Sequence, residues 1–354
     1  MIAGTPLPDA RQTPVRLIDI ANRLGVAKIT VSKGLRDHPD LAPETTALIK
    51  RTAIEMGYVP NYFAKSLQSR GGSGVLGVVV PKIRHAFFAE VISAIQQAAA
   101  EQNYEILLAV SLENPEVEQR HIETFLSMRV DGLLLSVTET IGPNNPAVYA
   151  RVVRMGVPLV MFDRAPVEGV YSAVLMDDVR GAKDAVLAAA AQGRRRIAHL
   201  GSYRDVNIGR DRRAGYEMGL VEAGLSSRED WVVEGGLGEV DGYRGFERLW
   251  RAKERPDAIF CASFPLAVGV MDAMRAIAPD AVGEVLLIFF GVREMARFFP
   301  HPNICIVQPA EAMGRRAVAE VLGALSGAAT SPVRLALAID LMTSSDPYTP
   351  SYLT

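Results

Sequence analysis

The sequence predicts an all-α helix-turn-helix head joined to an α/β core of two lobes built on parallel sheets. Three observations carry this. Residues 15–36, VRLIDIANRLGVAKITVSKGLR, place apolar side chains at helical spacing on both sides of a glycine. From Val75 onward, short β-rich apolar runs recur about every 25 to 30 residues, with helix-length stretches between them. Between the two regions lies Ser69-Arg-Gly-Gly-Ser-Gly74, a composition that makes a flexible joint.

In the head, Leu17, Ile20, Ala21 and Leu24 form one stripe on a first helix. Gly25 can leave that helix at positive φ, where other residues are strained. Val26 follows, and Ile29 and Val31 open a second helix with Lys28, Thr30, Ser32 and Lys33 on its other faces. Ala21, Gly25 and Val31 have helix-turn-helix spacing: alanine lets the helices approach, glycine turns the chain and valine closes the small core. Asp37-His-Pro-Asp40 makes a loop. Pro43 opens a third helix reaching about Met56, with Ala47, Leu48, Ala53 and Ile54 available to pack on the first two. Gly57 ends it, and Tyr58-Val-Pro-Asn61 leads out extended because a residue before proline avoids the helical region. Residues 61–67, NYFAKSL, can make one or two helical turns, a length that is marginal alone in water.

In the core, strands are expected at 75–81, 104–110, 130–136, 158–162, 173–176, 196–201, 258–262 and 285–290. Helices are expected near 87–102, 115–128 and 179–192. So many strands divide most naturally into two sheets with a cleft, and ligands bind beyond the carboxyl ends of such strands. The expected organisation is a disordered arm (1–14), a helix-turn-helix domain (15–60), a hinge helix with its linker (61–74) and a two-lobed core (75–354).

Composition excludes several classes. Apolar residues are 49% and charged residues 22% of 354, which is ordinary for a globular chain. No apolar run approaches the ~20 residues that span a bilayer, and the first fourteen residues lack a secretory pattern. Cys261 and Cys305 sit in separate apolar runs, as reduced core thiols do in a cytoplasm. Residues 1–70 hold 10 Lys+Arg against 6 Asp+Glu, whereas the remainder holds 28 against 34. A basic head on an acidic body suggests that only the head meets a polyanion.

Enzyme chemistry is not legible. HExxH, GxSxG and GxxxxGK do not occur, and histidines 38, 85, 121, 199 and 301 show no metal-ligand spacing. Gly235-Gly-Leu-Gly238 reads as a turn. Asp177-Asp178 is an acid/base pair or, more often for such pairs, a helix cap. Cys261 has no histidine near it in sequence to activate it. The expectation is a binding protein without cofactor or metal.

From about Arg16 to about Leu341 the chain resembles the LacI/GalR family of bacterial transcription regulators. IDIANRLGVAKITVSKGL and ETTALIKRTAIEMGYVPNYFAKSL are similar to that family's head and hinge. AFFAEVISAIQQAAAEQNYEILL, RVDGLLL, GVPLVMFDR, GRRRIAHLG, RRAGYEMGL, RPDAIFCAS and QPAEAMGRRA are similar to its core, in order. The resemblance implies a core shaped like periplasmic binding proteins. It also implies a cytoplasmic, nucleoid-associated homodimer that represses by binding a pseudo-palindromic double-stranded operator under small-molecule control. Contacts to DNA are implied at Leu17, Lys28, Ile29, Thr30, Ser32, Lys33, Tyr58, Asn61 and Leu67. Lys33 stands where the family mostly has arginine, a point charge in place of a two-pronged fork. Leu67 matches the leucine that wedges between base pairs in the minor groove. Gly34 within the second helix costs about 0.5–1 kcal/mol relative to alanine, which suggests a helix that is firm only on DNA.

The ligand positions depart from the family pattern. Arg84-His85-Ala86 replaces an asparagine-proline before Phe87-Phe88, Ser263-Phe264 replaces Asn-Asp, and Phe289-Phe-Gly-Val292 replaces Gly-Phe-Asp-Asp. Two carboxylates are lost and a basic pair is gained. The expected effector is therefore a small anion, a sugar acid or sugar phosphate, held near Arg84, His85, Phe87, Arg164, Asp177, Arg212 and Phe264. Two other readings stay open: a solute-binding transport protein with the same core, and a repressor that takes no effector.

Overall fold

Gly25 sets the geometry of the N-terminal region. It ends α1 (Leu17–Leu24) at φ 67°, with open space where a Cβ would stand, and the next helix begins three residues later. The structure is a computed structural model that describes residues 14–59, 72–138, 145–166, 171–202, 207–299, 301–328 and 331–344. Two compact units divide after Gly71.

In the first unit, α1 is followed by α2 (Lys28–Gly34) and α3 (Pro43–Glu55). Asp19 accepts the Arg16 N–H at 2.8 Å and tightens the first turn of α1. Ile20, Ala21, Val31, Ile49 and Ala53 form the buried centre, with Leu17, Leu24, Val26 and Tyr58 packed around it. The expected stripe on α3 is displaced. Ala53 is buried, but Ala47, Leu48 and Ile54 face solvent, and Ile49 and Thr52 fill the interface instead. Starting at Pro43, the helical phase puts Ile49, Thr52, Ala53 and Met56 on one face, and that face wins. Gly34 also reads differently in three dimensions. A Cβ there would stand 2.5 Å from Cδ1 of Ile49, so glycine is present for close approach of α2 to α3.

The second unit contains two six-stranded sheets. Its strands are β1 (Val75–Val80), β2 (Glu105–Val110), β3 (Gly132–Leu135), β4 (Leu159–Phe162), β5 (Ser172–Met176), β6 (Ile197–Ser202), β7 (Val232–Gly235), β8 (Ala258–Cys261), β9 (Leu286–Gly291), β10 (Asn303–Val307), β11 (Arg334–Leu337) and β12 (Asp340–Thr343). The first sheet has order β11-β5-β4-β3-β1-β2 and is parallel throughout. The second has order β12-β10-β9-β8-β6-β7, with β12 antiparallel to β10. Helices α4 (Ala86–Glu101), α5 (Pro115–Ser127), α6 (Pro146–Arg154), α7 (Asp178–Ala191), α8 (Asn207–Glu222), α9 (Glu239–Trp250), α10 (Phe264–Ile277), α11 (Arg293–Phe298) and α12 (Ala310–Leu325) cover them.

The apolar runs are continuous because parallel strands covered on both faces are buried on both, and β1, β3, β4, β8 and β9 are buried along their whole length. The chain passes between the sheets three times: after β5, after β10 and between β11 and β12. These crossings make two lobes, and the carboxyl ends of the central strands open toward the space between them.

Replacing Gly34 by alanine tests the head packing. Helix propensity rises by about 0.5–1 kcal/mol, but overpacking against Ile49 costs about 1–3 kcal/mol. The expected net result is a loss of roughly 1 kcal/mol, read as faster hydrogen exchange of α3 amides in the intact protein. Slower exchange would show that Ile49 yields easily.

Candidate functional site

Two sets of residues stand out, one in each unit. In the first unit, α2 presents Lys28 and Ile29 to solvent, Ile29 being 66% exposed, while Thr30, Ser32 and Lys33 are half-buried. Several of these groups are already engaged. Lys33 Nζ donates to Asp40 Oδ2 at 2.6 Å, and His38 Nδ1 lies 3.3 Å from the same oxygen. The hydrogen bond from Lys33 and the nearby His38 hold the Asp40 carboxyl below its usual range. Arg36 donates to the Ser32 carbonyl at 3.0 Å and to its hydroxyl at 3.1 Å. Leu17 and Tyr58 are half-buried against the head core. Asn61 and Leu67 lie outside the described residues.

In the second unit, a cavity of about 150 Å³ lies between the lobes. Arg84, His85, Phe87, Arg164, Arg212 and Phe264 all line it, so the chain brings together six of the seven expected ligand residues. Asp177 is the exception. It is the N-cap of α7, accepting the Arg180 N–H at 3.2 Å, and its neighbour Asp178 carries the ionic contact. Capping requires a side chain that turns back on its own helix, which takes Asp177 away from the cavity.

Arg212 is the most constrained group. Its side chain is 3% exposed. Nε donates to Asp178 Oδ1 at 2.7 Å, Nη1 donates to the Ala262 carbonyl at 2.5 Å, and the guanidinium lies 3.7 Å from the Phe290 ring centroid. Its remaining nitrogen, Nη2, has no hydrogen-bond partner among the described residues. Arg164 is held by the carboxylate of Glu113 at 2.9 and 3.1 Å. His85 does not add positive charge. Burial and the neighbouring Lys82 and Arg164 push its pKa down to about 4, so it is neutral at pH 7. That removes one member of the basic pair read from the sequence.

Asp163, Glu239, Phe290 and Gln308 also line the cavity without having been singled out. Asp163 and Phe290 lie at or just after the carboxyl ends of β4 and β9, where the strand-end rule would have found them. Asp163 has φ 60°, uncommon for a residue with a side chain, and burial raises its pKa. The segment is clamped from the other lobe. Asn207, fully buried at the start of α8, donates Nδ2–H to the Asp163 carbonyl at 3.0 Å and accepts the Ala165 N–H at 2.8 Å.

Burial also pushes the Asp178 carboxyl up, to about 6. A carboxyl with a raised folded pKa binds its proton more tightly when folded, so this contribution favours folding below the unfolded value and is lost as pH rises through about 6. Between pH 4 and 6, unfolding free energy in Asp178→Asn should fall less with rising pH than in the parent, by roughly 3 kcal/mol at most. Urea titrations of the two proteins across that range check it, and parallel curves would count against the assignment.

Comparison with known proteins places this architecture. The profile described as periplasmic binding proteins and sugar binding domain of LacI family matches residues 73–342. The HTH-type transcriptional regulator GntR of Escherichia coli K12 is 28% identical over 333 residues, covering 94% of this chain and 98% of its own length. The HTH-type transcriptional repressor PurR of Erwinia tasmaniensis is 27% identical over 300 residues, covering 84% and 87%. The crystal structure of the Lac repressor dimer bound to operator and the anti-inducer ONPF has the same fold, with a TM-score of 0.79 at 21% identity, covering 94% of this chain and 99% of that one. The match over both lobes, together with helical and strand order that follows it, identifies this chain as a member of the LacI family.

Proposed function

We propose that this protein is a sequence-specific DNA-binding transcription regulator. In this reading it represses a carbohydrate or small-metabolite operon and responds to a small molecule held between the lobes. The observation that carries the reading is the three-helix head, whose α2 displays Lys28 and Ile29 beside Thr30, Ser32 and Lys33. A helix of this size enters the major groove, where lysine reaches guanine or phosphate and an exposed isoleucine meets a thymine methyl. Relatives named as transcriptional regulators over nearly the whole length support it. One such helix reads only a few base pairs, so a homodimer on a pseudo-palindromic operator is the natural form. Tyr58 and Asn61 would touch the backbone, Leu17 would support the head against it, and residues 61–67 would fold on DNA with Leu67 as the minor-groove wedge. The place of action is the cytoplasm, at the nucleoid, and no catalytic step is assigned.

The effector in this reading carries an anionic group. Arg212 and Arg84 are its expected partners, since Arg164 is engaged by Glu113 and His85 is neutral. A solute-binding transporter would have no use for α1 to α3. An effector-blind repressor would show no change of operator affinity with any ligand, because a ligand shifts affinity only by favouring one core arrangement.

Footprinting on genomic fragments at several salt concentrations tests the reading. Lys33→Ala should cost about 1–3 kcal/mol and relax preference at one base pair. Asp40→Asn, which frees Lys33 and removes a negative charge beside the phosphates, should tighten binding a few-fold; weaker binding would show that Asp40 positions Lys33 for reading. Leu67→Ala should weaken specific binding by a few kcal/mol at most, the scale of unstacking one step, with non-specific binding nearly unchanged.

A further inference from the structure

We propose that the ligand of the interlobe cavity is a small aromatic monocarboxylate, with a one-ring apolar body in place of a hydroxyl-covered sugar. This rests on the reading of the cavity as the effector site and names the chemistry it accepts.

The wall contributed by the second lobe carries the argument. Ile208, Leu237, Phe264, Val268, Val292 and Met295 face the cavity there. The hydroxyl of Ser263 is already used, donating to the Leu237 carbonyl at 2.8 Å and accepting the Leu266 N–H at 3.4 Å as the cap of α10. Phe264 is anchored edge-on against Phe289 and Phe299, with ring centroids 5.3 and 5.7 Å away, so it cannot swing aside cheaply. A pyranose presents hydroxyls around its whole rim, and those meeting the apolar part of this wall, away from Arg212, Glu239 and Gln308, would be buried without partners. An aromatic ring meets the same wall with area burial and edge-to-face contacts. The volume of about 150 Å³ agrees. Space of that size takes one benzene-sized ring.

The polar end is equally specific. Arg212 lines the cavity with two nitrogens fixed and the third, Nη2, buried without a partner among the described residues, a preset donor for one carboxylate oxygen. Glu239 borders the same space and opposes a second negative group, which disfavours a phosphate dianion. The result is a site for one charge and one ring.

The test is calorimetric titration of the intact protein with phenylacetate, phenylacetamide and gluconate. Phenylacetate should bind at least about tenfold tighter than the other two: the amide lacks the charge that Arg212 meets, and gluconate lacks the ring. Phe264→Asn, at a half-buried position, should lose about tenfold for phenylacetate, with its ligand-free melting temperature as the control for folding. Gluconate binding as tightly as phenylacetate, or no heat from any of the three at millimolar concentration, overturns the proposal. Operator footprinting of the same preparation separates the two levels. A footprint without phenylacetate binding defeats the ligand class alone, and absence of any footprint defeats the regulator reading.

Discussion

The second lobe and the cavity depend on one buried cation. Arg212, on α8, reaches Asp178 on α7, the carbonyl after β8 and the face of Phe290 on β9, so one guanidinium ties two helices to two strands. A buried ion pair adds little net stability over apolar residues of the same shape, because desolvation offsets the Coulomb gain. Removing one partner is different and costs about 3–5 kcal/mol, since the other charge is left in low dielectric. The value of the pair lies in direction. It holds one unpartnered nitrogen, Nη2, in a fixed place.

The head shows an opposite arrangement, with charges held at the surface. Lys33 with Asp40, Lys50 with Asp37 and Arg36 with Ser32 link α2 and α3 to the loop that joins them. Exposed pairs of this kind are worth a few tenths of a kcal/mol and weaken with salt. They order the side chains without committing them. In the proposed reading, a phosphate or a base edge would compete for the same donors at small cost.

Much of the fold was legible in the sequence for physical reasons. Gly25 between two apolar stripes announces a turn, and it stands at φ 67°. The runs at 75–81, 130–136, 158–162 and 258–262 became central strands because a parallel strand buried on both faces must be apolar throughout. Strands β7, β11 and β12 were not legible. They are edge strands, partly exposed, and their residues lack the uninterrupted apolar run. β10 was not among the expected strands, although the apolar run around Cys305 is the one that forms it. In the cavity, the family resemblance pointed to Arg164 and Arg212 as matching ligand positions, and to Phe264 as a departure from the family pattern after β8. Charge state was not legible. His85 reads as a cation in sequence, and only burial beside Lys82 and Arg164 shows that it is neutral. Likewise Asp177 and Asp178 are indistinguishable in sequence until the helix starts and gives one the cap and the other the arginine.

Asn207 holds the opposite lobe by peptide groups alone, a carbonyl at Asp163 and an N–H at Ala165. Such a fastening is blind to side-chain identity. Substitutions at 163 and 164 can alter what the cavity recognises while the lobes stay fastened, provided the backbone keeps its left-handed step. The lining of the cavity and the fastening of the lobes can then change independently. Under the proposed reading, that separation would let the scaffold take new ligands without loosening its lobes.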